Sequence, residues 1–155
     1  MNTAQRIQSR AKHQVLPKFF RPKLNPSQIT TCRLIHWDAI ALFTSGKAGK
    51  QDMLDWIANA FTYSQMALLL AADGLEFSDE AYALLAEQVE VIPALIDRYR
   101  TTGRVGFSGT ELQIARAAAY VMDDMLELDR HGIADQAARW SVNQMKSIVI
   151  GPCGH

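Results

Sequence analysis

The stretch Asp52-Met-Leu-Asp-Trp-Ile-Ala-Asn-Ala-Phe-Thr-Tyr-Ser-Gln-Met-Ala-Leu-Leu-Leu-Ala-Ala-Asp-Gly74 decides the fold. Its polar residues Asp52, Asp55, Asn59 and Thr62 recur at spacings of three and four, which puts them on one stripe of a helix. Leu54, Trp56, Ile57, Ala60, Phe61 and Tyr63 fill the rest of the circumference. From Met66 to Ala72 every residue is apolar, and such a segment must be covered on all sides, by its own chain or by a partner. The pattern predicts a central helix ending at Asp73-Gly74, with Leu68 in the core. An unpaired carboxylate at Leu68 would then abolish folding or assembly.

Working outward, Asn25 reads as an N-cap with Pro26 at the first helical position, and the helix they open runs to a stop at Ser45-Gly46. Its apolar positions are Ile29, Cys32, Leu34, Ile35, Trp37, Ala39, Ile40, Leu42 and Phe43. After the central helix, Ser78 followed by Asp79 and Glu80 starts a third, with Ala81, Leu84, Leu85, Val89, Ile92, Leu95 and Ile96 as its inner face. Pro93 predicts a kink or break near Glu90. The loop Gly103-Arg-Val-Gly-Phe-Ser-Gly-Thr110 leads to a fourth helix, opened either by a Ser108/Glu111 capping box or by Thr110, and expected to continue to His131 and stop at Gly132. Leu112, Ala115, Ala118, Ala119, Met122, Met125 and Leu126 are its buried positions. Residues 133–150 read as helical again, with a break near Ser141. No alternating strand pattern, internal repeat or low-complexity segment interrupts this. The fold class is therefore all-α: one irregular bundle of four to six helices over residues 25–150, an extended N-terminal arm over 1–24 and a tail over 151–155.

A chain of 155 residues can bury a core without disulfides or metals. Its two cysteines form no disulfide framework and no signal segment opens it, which points to a reducing cytoplasm. The apolar run 66–72 is too short to span a membrane. The zero net charge hides an asymmetry. Residues 1–24 carry Arg6, Arg10, Lys12, Lys18, Arg21 and Lys23 and no acid, so the arm is +6 and the remainder −6. Such an arm can contact nucleic-acid phosphates, dock on the acidic body or remain solvated.

Four constellations carry possible chemistry. Cys32 and His36 lie one helical turn apart, and with Cys153 and His155 of the tail they would make a Cys2His2 set of zinc-ligand types if the tail folded back. Neither pair has a common zinc spacing and the tail offers little rigidity, so no metal or other cofactor is expected. Glu87, Glu90, Asp124 and Glu127 could face each other across two helices and hold magnesium, a loose likeness to all-α nucleoside triphosphate pyrophosphohydrolases that is spoiled by the inverted second pair and by Pro93. The glycine-rich loop before the fourth helix could take an anion on its free amides, but it lacks the lysine and strand of a Walker loop. Finally, Ile133 to Ile150 resembles a helix-turn-helix with its turn at Ser141, which would present Asn143, Gln144 and Lys146 to DNA.

The run Leu34-Ile-His-Trp-Asp-Ala-Ile-Ala-Leu-Phe43, with Ser45-Gly46 and Asp52-Met-Leu-Asp-Trp56, resembles the small helical accessory proteins of proteobacterial plasmids and phages. That resemblance implies a small non-enzymatic protein of a mobile element acting on host or competitor machinery. Charge segregation and an apolar central helix agree with a regulator that binds another macromolecule, protein first, with self-association open and no membrane partner. A DNA-binding regulator is the second expectation and a metal-dependent nucleotide pyrophosphohydrolase the third. If the arm binds phosphates, affinity for mixed-sequence DNA falls steeply with salt and drops on deletion of residues 1–24. Binding indifferent to both changes removes the nucleic-acid reading of the arm.

Overall fold

The computed structural model describes residues 22–148 and builds them from helices alone. These are α1 (Pro26–Ser45), α2 (Lys50–Ala72), α3 (Asp79–Glu90), α4 (Ile92–Thr102), α5 (Gly109–Glu127) and α6 (Ile133–Met145). Most of the expected arm, with Arg6, Arg10, Lys12, Lys18 and Arg21, and the tail with Cys153 and His155 lie outside the described residues. Among the described residues no helix is long and apolar enough to cross a membrane.

Local chemistry sets the boundaries. The Asn25 carboxamide accepts from the Gln28 amide while Gln28 accepts from that of Asn25, both at 2.9 Å, and Gly46 closes α1 at φ 74°. The Asp52 carboxylate accepts the Gly49 amide at 2.7 Å and so starts α2. Ser78 caps α3, and the break that Pro93 demands is a single residue, Val91. At α5 the Ser108 and Glu111 capping box forms, and Thr110 lies within the helix. Glu111 also receives two bonds from Arg98, at 2.9 and 3.0 Å, and Arg98 donates to the Gly106 carbonyl as well. This clamp holds the loop 103–108 so that Val105 is buried and Phe107 stacks on Phe43 and Trp56.

The core surrounds α2, in two clusters. One gathers Met53, Trp56, Ile57 and Ala60 with Ile40 and Phe43 of α1, Ile92 and Leu95 of α4, and Ala115 and Ala119 of α5. The other gathers Tyr63, Met66, Ala67 and Leu70 with Leu85 of α3, Met122, Met125 and Leu126 of α5, and Ile133 and Ala137 of α6. Between them Thr62 donates to the Ser141 hydroxyl at 2.9 Å and ties α2 to α6.

Three expectations are corrected. Leu68 is 58% exposed, so the apolar segment 66–72 is not covered on every side by the described residues; Leu70, with no exposed surface, holds the core position. The fourth predicted helix ends at Glu127 rather than His131, because Asp129 turns inward to accept the Ala134 amide at 2.9 Å and the Leu24 amide at 2.7 Å. Residues 130–132 then reverse the chain, with His131 at φ 57° and Gly132 at φ 71°. The break at Ser141 is absent: its buried hydroxyl donates to the Ala138 carbonyl and accepts from Thr62, so α6 runs through it unbroken.

These burials reverse the expected sensitivity. Leu70→Asp should unfold the protein or lower its stability by several kcal/mol, against a total of about 5–15, while Leu68→Asp should melt close to wild type. Thermal unfolding of the two variants side by side checks this.

Candidate functional site

The polar stripe of α2 borders cavities, with Asp55 exposed and Asp52, Asn59 and Thr62 partly buried. It forms the floor of a groove that α1 walls on one side. At the wide end, a cavity of about 570 Å³ is lined by Gln28 and Cys32 of α1, by Asn59, Thr62, Tyr63 and Met66 of α2, and by Ala134, Asp135 and Ala138 of α6. At the narrow end, about 240 Å³ is lined by Ile35, Asp38, Ala39 and Leu42 of α1 and by Asp52, Asp55, Trp56 and Asn59 of α2. Asn59 lines both, so the two cavities adjoin along the antiparallel pair of α1 and α2. The lining positions on α1 recur every three or four residues, as one helical face must.

Its electrostatics are lopsided. Asp38, Asp52, Asp55, Asp129 and Asp135 line the groove, against Lys23 as the one lining cation among the described residues. Asp129 is saturated by two backbone amides, and Asp135 pairs with Arg139 at 2.9 Å. Asp52 is held by the Gly49 amide and Asp55 by the Gln51 carboxamide at 2.8 Å, neither of which neutralises it. Asp38 has no hydrogen bond or ion pair among the described residues. The narrow end is thus anionic and the wide end largely neutral. There Tyr63, only 3% exposed, makes no hydrogen bond among the described residues, and its burial pushes the phenol far above its ordinary range. Burial likewise raises the Cys32 thiol, reinforced by the Asp129 carboxylate, so Cys32 is a neutral lining group.

What keeps α1 in place is a lock on its other side. Asp123 of α5 accepts from His36 Nε2 at 2.7 Å and from the Trp37 indole at 3.0 Å, while Arg33 donates to the Asp123 carbonyl and, at 2.7 Å, to Glu127. The Trp37 ring meets Tyr120 edge-on with centroids 5.0 Å apart, and Tyr63 stands edge-on to His36. His36 is 1% exposed and its Nδ1 has no hydrogen-bond partner among the described residues. Burial lowers its pKa, and the bond to Asp123 opposes that shift without cancelling it.

Of the residues singled out from sequence, Cys32 lines the groove while His36 spends its Nε2 on Asp123 beneath it. Among the described residues no group of three or more His, Cys, Asp or Glu could hold a metal ion. The Glu87, Glu90, Asp124 and Glu127 set does not assemble: Gln88, not Glu87, is turned inward, toward Met122, and Glu127 pairs with Arg33 of α1. The anion site at the start of α5 is supplied with the chain's own carboxylate, Glu111. The helix-turn-helix is not formed, since Asn143 and Gln144 continue the same helix as Ser141, and exposed Lys146 follows it, donating to Asn143. Lys23 is exposed at the mouth of the groove. Asp123 was missed from sequence, although the buried imidazole and indole of adjacent residues on α1 required an acceptor on a neighbouring helix. No protein family, curated protein or solved structure matches the chain.

The lowered pKa of His36 carries a sign. The unfolded chain takes up a proton on falling through the ordinary imidazole value of about 6.5, before the folded protein does. Stability from neutral His36 is therefore complete above that pH and is lost as pH falls from it toward the depressed folded value. His36→Gln keeps a donor for Asp123 and removes the titration. Urea unfolding of both proteins across this range should give a stability difference that shifts in favour of the variant on acidification.

Proposed function

We propose that this chain is a non-enzymatic regulatory protein that acts by binding another protein, and that the α1–α2 groove receives a basic amphipathic helix of that partner. The observation that carries the reading is the placement of Asp38, Asp52 and Asp55 around an open cavity whose other lining is apolar but for Asn59, with no lysine or arginine lining that end among the described residues. Between Gln28 and Leu42, α1 extends for about 21 Å at 1.5 Å per residue, the length of a partner helix of roughly four turns. Ile35, Ala39, Leu42 and Trp56 supply apolar contacts, and the carboxylates would select lysine or arginine on the flank of the incoming helix. The neutral wide end, with its unpaired phenol and the Asn59 amide, would take the apolar anchor of the same helix.

Phosphate would be repelled from such a groove, so a nucleic-acid partner would have to engage elsewhere. A small chain that occupies one helix of a larger machine also suits the mobile-element setting implied by the resemblance of residues 34–56.

The test compares wild type with Asp38→Lys/Asp55→Lys as baits in the native host, with captured proteins identified by mass spectrometry. Both positions are exposed and neither caps a helix, so the variant should fold. A partner lost from the variant, and mapped to a basic amphipathic helix, is the expected result. A partner captured equally by both baits would sink the assignment of the groove.

A further inference from the structure

A second groove lies between α5 and α3, bordering α1 only where Tyr120 meets Trp37. It encloses about 540 Å³ between α5 and the start of α3. Ala117, Tyr120, Val121, Asp124 and Leu128 line it from one side at helical spacing, facing Phe77, Ala81 and Leu84. Two of its large apolar side chains are exposed, Tyr120 at 66% and Leu128 at 40%. Glu76, Glu80 and Asp124 rim it, none has an ion pair or hydrogen bond among the described residues, and no lysine or arginine lines it. An apolar trough edged by uncompensated carboxylates is a poor solvent-facing surface and a good match for an apolar segment that carries cations.

We propose that the α3–α5 groove is a docking surface, separate from the α1–α2 groove, for a lysine- or arginine-bearing amphipathic helix of a partner protein. This inference does not depend on the α1–α2 groove. Tyr120 supplies its aromatic anchor. Backed by Trp37, the ring is held in place before binding and loses little freedom on contact.

Titration calorimetry on the full chain tests it, using a leucine/lysine peptide of roughly four turns patterned as an amphipathic helix, and a scrambled peptide of the same composition. The expected result is two patterned peptides per chain, falling to one with Glu80→Lys/Asp124→Lys and to the other one with Asp38→Lys/Asp55→Lys. Tyr120→Ala, which leaves charge unchanged, should weaken only the site removed by Glu80→Lys/Asp124→Lys, by about tenfold. Thermal unfolding confirms that each variant is folded. Binding that is lost only with Asp38→Lys/Asp55→Lys overturns the second groove and leaves the first. Binding lost only with Glu80→Lys/Asp124→Lys supports the second and removes the first. Equal binding of the scrambled peptide, indifference to Tyr120→Ala, or no binding at low salt overturns the proposal.

Discussion

Asp123 fixes the position of α1, and the rest of the surface follows from that. One carboxylate accepts from an imidazole and an indole on consecutive residues, while its own carbonyl accepts from Arg33. These bonds direct α1 toward α5, in partly desolvated surroundings where charge-assisted bonds are strong. Having been drawn to α5, α1 does not close over the polar stripe of α2. The groove is the space left between a helix held on one side and a neighbour whose polar residues would be expensive to bury.

The acidic character of the body has a geometric side as well. Several of its acids are consumed internally: Glu111 by Arg98, Asp129 by two amides, Asp73 by Arg130 and His131. Of the acids without a cationic partner among the described residues, Asp38, Asp52 and Asp55 line one trough and Glu76, Glu80 and Asp124 the other, while Asp79, Glu87 and Glu90 lie outside both. Like charges brought together in this way repel each other, and a cationic partner of the kind proposed would relieve that repulsion on binding.

What could be read from the sequence was what short-range chemistry dictates. Asn25-Pro26, Ser45-Gly46, the Ser108/Glu111 box and Pro93 each act on their own backbone within a turn, so the helices they start, stop or break were legible. The apolar face of α5 was legible too, because its alanines and methionines keep one period throughout. The orientation of α1 was not. Leu34 and Ile35 are as apolar as Ile40, yet they are half exposed while His36 is buried, because the acceptor that draws His36 inward is 87 residues away in the chain. Asp129 misled for a related reason: nothing local distinguishes a carboxylate on a helix face from one that folds back to begin the next helix. Of the candidate site, the stripe Asp52, Asp55, Asn59 and Thr62 was visible, but that it would border cavities depended on where α1 came to rest.

The division of the core into two clusters has a consequence for how the molecule opens. Of the buried apolar residues, those of α4 belong to one cluster and those of α3 and α6 to the other, while α2 and α5 contribute to both, α2 being stitched at Thr62 to Ser141. Fluctuations that loosen α3 from one end, or α4 from the other, need not disturb the opposite cluster. The central amides of α2 and α5 exchange with solvent only when both halves are open, so the global unfolding event is written in the protection of these two helices.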